Sequence, residues 1–254
     1  MNLTNPVKEK LAAGERVFGV FIPLPSPEIV EMTALAGFDF ALIDNEHGPI
    51  TAESAYPMVL AAEARGIPAF ARVGLGDRQE VLKFLDVGVS GIMAPRVGTG
   101  EEARAAISYT KYFSAGERGL AGMRTFDFGL SGPLTDYVEP INNRVLNMIQ
   151  FEHVDTLAHL DDILALDGID VLFVGPSDLA QSLGYPGQPA HPDVTKIADE
   201  VVAKAQAAGV KTGTVAYTPE LAKSVVDRGF DMVVASVAGL FGNAGKAYLQ
   251  ACKN

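Results

Sequence analysis

Residues 145–184 read VLNMIQFEHVDTLAHLDDILALDGIDVLFVGPSDLAQSLG. Two nearly continuous apolar runs stand in this stretch, VLNMIQFE at 145–152 and VLFVG at 171–175. A helix-period segment over 156–167, stopped by Gly168, joins them, and a short helix is expected near 177–183. Runs this apolar are buried on both faces, which marks a parallel sheet. Parallel neighbours need a crossover, and the intervening helix supplies it.

The same unit repeats in both directions. Toward the N-terminus come VFGVFIP at 17–23, FDFALID at 38–44, PAFARV at 68–73 and GIMAPRV at 91–97. Helical patterns follow them from Pro27 to Ala36, from about Thr51 to Arg65, from near Asp77 to Val87, and from about Glu101 to Tyr112. Gly37, Gly66 and Gly88 close the first three, as glycine after a last helical turn usually does. Toward the C-terminus, GYPGQPAHP at 184–192 is a loop by its glycines and prolines. A helix over 193–208, KTGTVAY at 211–217, a helix from Pro219 to Arg228, DMVVASV at 231–237 and a last helical segment complete the chain. Phe113 to about Asn143 is expected to be irregular, because it holds several glycines and two prolines. Eight strand–helix units in 254 residues favour a single α/β domain over 1–254, a closed (β/α)8 barrel; a doubly wound open sheet is the alternative.

Composition narrows the function. The chain is 48% hydrophobic and 20% charged, an ordinary globular mixture. A net charge of −11 without a basic cluster argues against nucleic acid. The longest nearly apolar run, Met232 to Phe241, is far short of the roughly 20 residues of a membrane span. One cysteine, Cys252, allows no disulfide within the chain, which suits a reducing cytoplasm. Val73-Gly74-Leu75-Gly76 is too short for a nucleotide fingerprint, and no Walker sequence appears.

In such barrels chemistry gathers at the C-terminal ends of the strands. The ionisable residues there fall on strands two to six: Asp44 with Asn45-Glu46-His47-Gly48, Arg72, Arg96, Gln150-Phe151-Glu152-His153, and Gly175-Pro176-Ser177-Asp178. Glu152 and Asp178 suit a divalent cation of the magnesium type, which takes one or two carboxylates and leaves other positions to water and substrate. Asp178 could instead cap a helix, and Glu152 could be a solvated strand end. Arg72 suits capture of a carboxylate or an enolate oxygen, or else a structural ion pair with Asp44 or Asp86. His47, close to two carboxylates, suits a general base, or else a turn residue capping the next helix. No lysine stands at the mouth end of a strand, which argues against imine chemistry.

Together these residues resemble the HpcH/HpaI aldolase family, the class II pyruvate-type aldolases. The resemblance runs from GVFIPLPSPEIVEMTALAGFDFALIDNEHGP through ARV, KFLDVGVSGIMAPRV, GERG and NMIQFE to GIDVLFVGPSDLAQSLG. It implies a phosphoenolpyruvate/pyruvate-type barrel that reversibly cleaves a 4-hydroxy-2-oxo acid into pyruvate, or hydroxypyruvate, and an aldehyde through an enolate. It implies Mg2+, Mn2+ or Co2+ on Glu152 and Asp178, chelating the keto acid, with Arg72 on the same keto oxygen. His47 acts as acid–base, supported by Asp44 and Asp86; Gln150, Ser177 and Val215 join Arg72 around the substrate. It also implies a homohexamer with the last helix exchanged between subunits. Three positions depart from the family pattern: Ala235-Ser236-Val237 lacks an aspartate frequent there, Ser177 replaces a frequent alanine, and His153 replaces a small hydroxyl residue. These bear on the aldehyde and on subunit contacts. A coenzyme A–dependent lyase of the malyl or citramalyl type and a catalytically silent binding barrel are the competing readings.

Overall fold

The computed structural model describes residues 4–74 and 78–253. Eight parallel strands close into a barrel in chain order: β1 (Val17–Ile22), β2 (Phe40–Asp44), β3 (Ala69–Arg72), β4 (Gly91–Ala94), β5 (Leu146–Phe151), β6 (Val171–Val174), β7 (Lys211–Val215) and β8 (Met232–Ser236). β8 pairs with β1, so the open-sheet alternative is excluded. The helices are α1 (Pro6–Ala12), α2 (Pro27–Leu35), α3 (Ala52–Ala64), α4 (Arg78–Val87), α5 (Gly100–Thr110), α6 (Thr135–Arg144), α7 (Leu160–Leu164), α8 (Pro176–Ser182), α9 (Pro192–Ala207), α10 (Pro219–Asp227) and α11 (Val237–Lys253). The start expected for the third crossover helix, Asp77, and the Leu75-Gly76 pair lie outside the described residues.

Successive strand residues point to opposite faces, so parity decides what enters the barrel. Phe40 and Leu42, Phe70, Met93, Leu146 and Met148, Val171 and Phe173, Met232 and Val234 form the inner cluster. Their neighbours pack outward under the helices: Ala41 and Ile43 with Val59 and Phe84 on one side, Ile149, Phe151 and Leu172 with Val201 on the other. Continuing each inner parity to the strand's end brings Asp44, Arg72, Gln150 and Val215 to the mouth. The resulting burial of both strand faces is what made the strands read as unbroken apolar runs.

Two elements differ from the sequence reading. α1 was not expected: Val7 and Leu11 join the inner cluster and plug the far end of the barrel. Asn5 caps α1 and reaches across to the carbonyls of Ser90 (3.2 Å) and Arg144 (2.9 Å). The stretch expected to be irregular contains α6, with Pro140 inside it. Ile141 enters the outer core beside Tyr112 and Phe126, and Asn142 accepts the Tyr112 N–H at 2.7 Å, so tertiary contacts override the proline. Among the described residues no helix is long and apolar enough to cross a membrane.

Candidate active site at the barrel mouth

β2 and β3 pair with Asp44 directly opposite Arg72. The register makes a buried, two-pronged ion pair: Arg72 Nε donates to Asp44 Oδ1 (2.9 Å) and Nη2 to Oδ2 (2.7 Å). Nη1 lies 3.2 Å from Glu46 Oε2, and the guanidinium carbon sits 4.7 Å from the centre of the Phe21 ring. Burial alone would disfavour the charge, but Asp44, Glu46 and Glu152 together hold Arg72 above its ordinary range. Arg72 is therefore both an ion-pair partner of Asp44 and a wall of the mouth.

His47 is exposed in the turn after β2. Its backbone N–H donates to Asp44 Oδ1 at 3.3 Å, so Asp44 braces the turn rather than the imidazole. Gly48 makes the tight turn feasible: a Cβ there would meet the Asp44 carbonyl oxygen at 2.4 Å and the Pro23 oxygen at 2.6 Å. The helix-capping alternative for His47 is not needed, since Thr51 caps α3 in a reciprocal pair with Ser54. Asp86 is not brought to His47 within this chain. It stands in the last turn of α4 and pairs with Arg118 at 2.9 Å, which in turn covers the Tyr112 ring. Burial raises the Asp86 carboxyl despite that partner.

At the β5–β6 corner the balance is different. Glu152 is buried just past β5. Its Oε1 accepts the backbone N–H of Arg96 at 2.6 Å, and its Oε2 accepts from Gln150 Nε2. Burial first, then the negative charge of Asp178, pushes the Glu152 carboxyl up to about 7, against the opposing Arg96 N–H. Asp178 is exposed in the first turn of α8, and the N-cap there is Gly175, so Asp178 is not the cap. A Cβ at Gly175 would fall 2.9 Å from Gln150 Nε2 and 3.2 Å from Glu152 Oε2, so glycine leaves the space beside these oxygens open. The Oε1 atom of Gln150 is buried without a hydrogen-bond partner among the described residues. No cluster of three or more His, Cys, Asp or Glu forms among them. Two carboxylates, an orphaned amide oxygen nearby and the space kept by Gly175 fit a hard cation that completes its shell with water and substrate. They do not fit a zinc-type cage.

Two cavities meet at the mouth. One, of about 520 Å3, holds Arg72, Gln150, Ser177, Val215, Phe21 and Phe173. The other, of about 630 Å3, holds Glu152, Arg96, Thr99, His153, Thr156 and Gln181. His47 and Asp178 line both. Every expected site residue except Asp86 is thus at the mouth. Sequence reasoning passed over Tyr217 and Ser236, which also line the smaller cavity. Both continue an inward parity, Tyr217 two residues after Val215 and Ser236 two after Val234, but neither carries a charge at neutral pH.

The family profile described as HpcH/HpaI aldolase/citrate lyase matches residues 17–241. The hydroxypyruvate/pyruvate aldolase of Sagittula stellata is 33% identical over 234 residues, 92% of this chain and 91% of that protein. The 2-keto-3-deoxy-L-rhamnonate aldolase of Escherichia coli is 33% identical over 235 residues, 92% of this chain and 88% of that protein. A crystal structure of a HpcH/HpaI aldolase/citrate lyase family protein from Burkholderia cenocepacia superposes with a TM-score of 0.91 at 31% identity, covering 99% of this chain and 100% of that one. With the match spanning nearly all of the barrel and its mouth, this chain belongs to the HpcH/HpaI aldolase/citrate lyase family.

Proposed function

We propose that the chain is a class II aldolase that cleaves a 4-hydroxy-2-oxo acid reversibly to pyruvate, or hydroxypyruvate, and an aldehyde. The observation that carries this reading is the Glu152–Asp178 pair, two mutually repelling carboxylates with the space beside Gly175 left open. Mg2+, Mn2+ or Co2+ held by Glu152 and Asp178 would supply Lewis-acid polarisation of the substrate's keto oxygen.

The remaining steps belong to the chain's own side chains. A guanidinium has five N–H donors. Arg72 spends two on Asp44, and its Nη1 stands 3.2 Å from Glu46 Oε2, which leaves donors for an oxygen in the smaller cavity that Arg72 lines. Those donors stabilise the enolate oxygen as charge develops, and Asp44 holds them still so that little reorganisation is needed. In cleavage His47 takes the proton of the 4-hydroxyl, the C3–C4 bond breaks with its electron pair going to the enolate, and the aldehyde departs. A proton returned to C3 gives pyruvate. In synthesis His47 removes the proton from the carbon beside the carbonyl. Gln150 and Ser177 bind the keto acid, and Val215 forms an apolar wall beside it. Pyruvate release from a 4-hydroxy-2-oxo acid should stop with chelator and return with Mn2+; undiminished turnover in metal-free protein would refute the cation's role.

The same proposal extends to assembly. α11 has no buried residue; Leu240 lines an apolar cavity of about 320 Å3 with Phe18, Phe38 and Val233, while Phe241 is 80% exposed. These features support exchange of α11 between subunits of a homohexamer. Sedimentation velocity should give a hexamer, with smaller species after Phe241→Asp; a monomer in the unaltered protein would refute exchange.

A further inference from the structure

The smaller cavity holds a hydroxyl that the aldol steps leave unused. Tyr217 stands two residues past the end of β7 and lines that cavity with Arg72, Gln150, Ser177 and Val215. It continues the inward parity of Val215. Its hydroxyl has no hydrogen-bond partner among the described residues. The charges that act on that hydroxyl are those of Arg72, Asp178 and Asp44, so it lies within reach of the ionisable groups of the mouth. Burial raises the phenol above its ordinary range; Arg72 opposes this, and the two carboxylates add to it. The group is therefore a neutral O–H donor at neutral pH. The backbone beneath it is tied down: the Tyr217 carbonyl accepts from Asn243 Nδ2 of α11 at 2.7 Å. The neighbouring hydroxyl of Ser236 is already engaged, since its Oγ accepts the Gly239 N–H at 3.0 Å.

Strand order decides what Tyr217 can meet. Around the mouth come Arg72 on β3, the Glu152–Asp178 corner at β5–β6, and then Tyr217 after β7. In the closed barrel β7 stands opposite β3, so Tyr217 and Arg72 belong to opposite walls of one cavity. A 2-oxo acid that faces the carboxylate corner with its keto oxygen on the Arg72 side has its carboxylate on the Tyr217 side. We propose that Tyr217 is a further substrate-binding residue, whose hydroxyl donates a hydrogen bond to the carboxylate of the keto acid and so sets the affinity for the donor half of the reaction. This rests on the aldolase reading above. A phenol donating to a carboxylate makes a charge-assisted bond, about twice as strong as one between neutral groups. The carboxylate keeps its charge when the keto acid becomes an enolate. The bond therefore contributes to binding and not to the chemical step.

The test is a calorimetric titration of the Mn2+-loaded full-length protein with oxamate, a carboxylate-bearing analogue of pyruvate. Tyr217→Phe keeps the ring and removes only the donor. It should bind oxamate about tenfold more weakly, the effect of one lost charge-assisted hydrogen bond at a residue that is 42% exposed. Its affinity for Mn2+ alone should match that of the unaltered protein. In exchange of the pyruvate methyl protons, KM should rise by a similar factor while kcat holds. A fall in kcat at unchanged KM overturns the proposal, because it would put the hydroxyl on the developing enolate oxygen instead. The two readings fail differently. If the metal-loaded unaltered protein does not bind oxamate, the aldolase reading itself is removed; if both proteins bind oxamate equally well, only the role of Tyr217 is removed.

Discussion

The β2–β3 and β5–β6 corners of the mouth both bury charge, but only the first satisfies it internally. Arg72 sits between Asp44 and Glu46, its fork filled on one edge and its position fixed by strand register. Glu152 faces another carboxylate, receives only neutral N–H donors, and is driven toward its protonated form. A corner whose carboxylates are paired with a guanidinium behaves as a rigid wall with oriented donors. A corner left with excess negative charge has affinity for a cation, at some cost to the empty fold.

The largest expected effect comes from removing the cation's ligands. Glu152→Gln and Asp178→Ala should each lower pyruvate proton exchange by about a thousandfold or more and abolish Mn2+ binding in a calorimetric titration. Retained Mn2+ binding in both would erase the contrast between the corners. His47→Ala should slow exchange by about 10²–10⁴-fold while Mn2+ affinity holds, because the imidazole is exposed and makes no hydrogen bond among the described residues. Arg72→Ala should cost about 10²–10³-fold in kcat, and it also strands Asp44, for a stability loss of about 3–5 kcal/mol by denaturant melting. Arg72→Lys should recover more stability than activity, since a point charge replaces the fork.

The smallest effect sharpens the comparison through pH. The Glu152 carboxyl titrates near 7 in the folded metal-free chain and near the ordinary glutamate value when unfolded. Between those values the folded state holds the extra proton. Stability from this group is complete below the unfolded value and lost as pH rises through about 7. In chelator, Glu152→Gln should therefore melt higher than the unaltered protein at pH 8.5 and nearly level with it at pH 4. Mn2+ affinity of the unaltered protein should fall as pH drops below about 7, because the ligand must lose its proton.

Most of the barrel, and the strand ends that form its mouth, are legible in the sequence alone. Strand period, apolar runs and helix-stopping glycines are local properties, so VLNMIQFE or PAFARV carries its own assignment, and inward parity carries Gln150 and Arg72 to the mouth with it. Closure of the sheet, the α1 plug and the helix through Pro140 depended on contacts between residues far apart in the chain. So did the division of charge: that Asp44 serves Arg72, that Asp86 belongs to Arg118, and that Arg96 gives its N–H to Glu152 while its side chain stays unpaired. Which ionisable groups meet is a question of distance in space, and spacing along the chain does not encode it until the strands are in register.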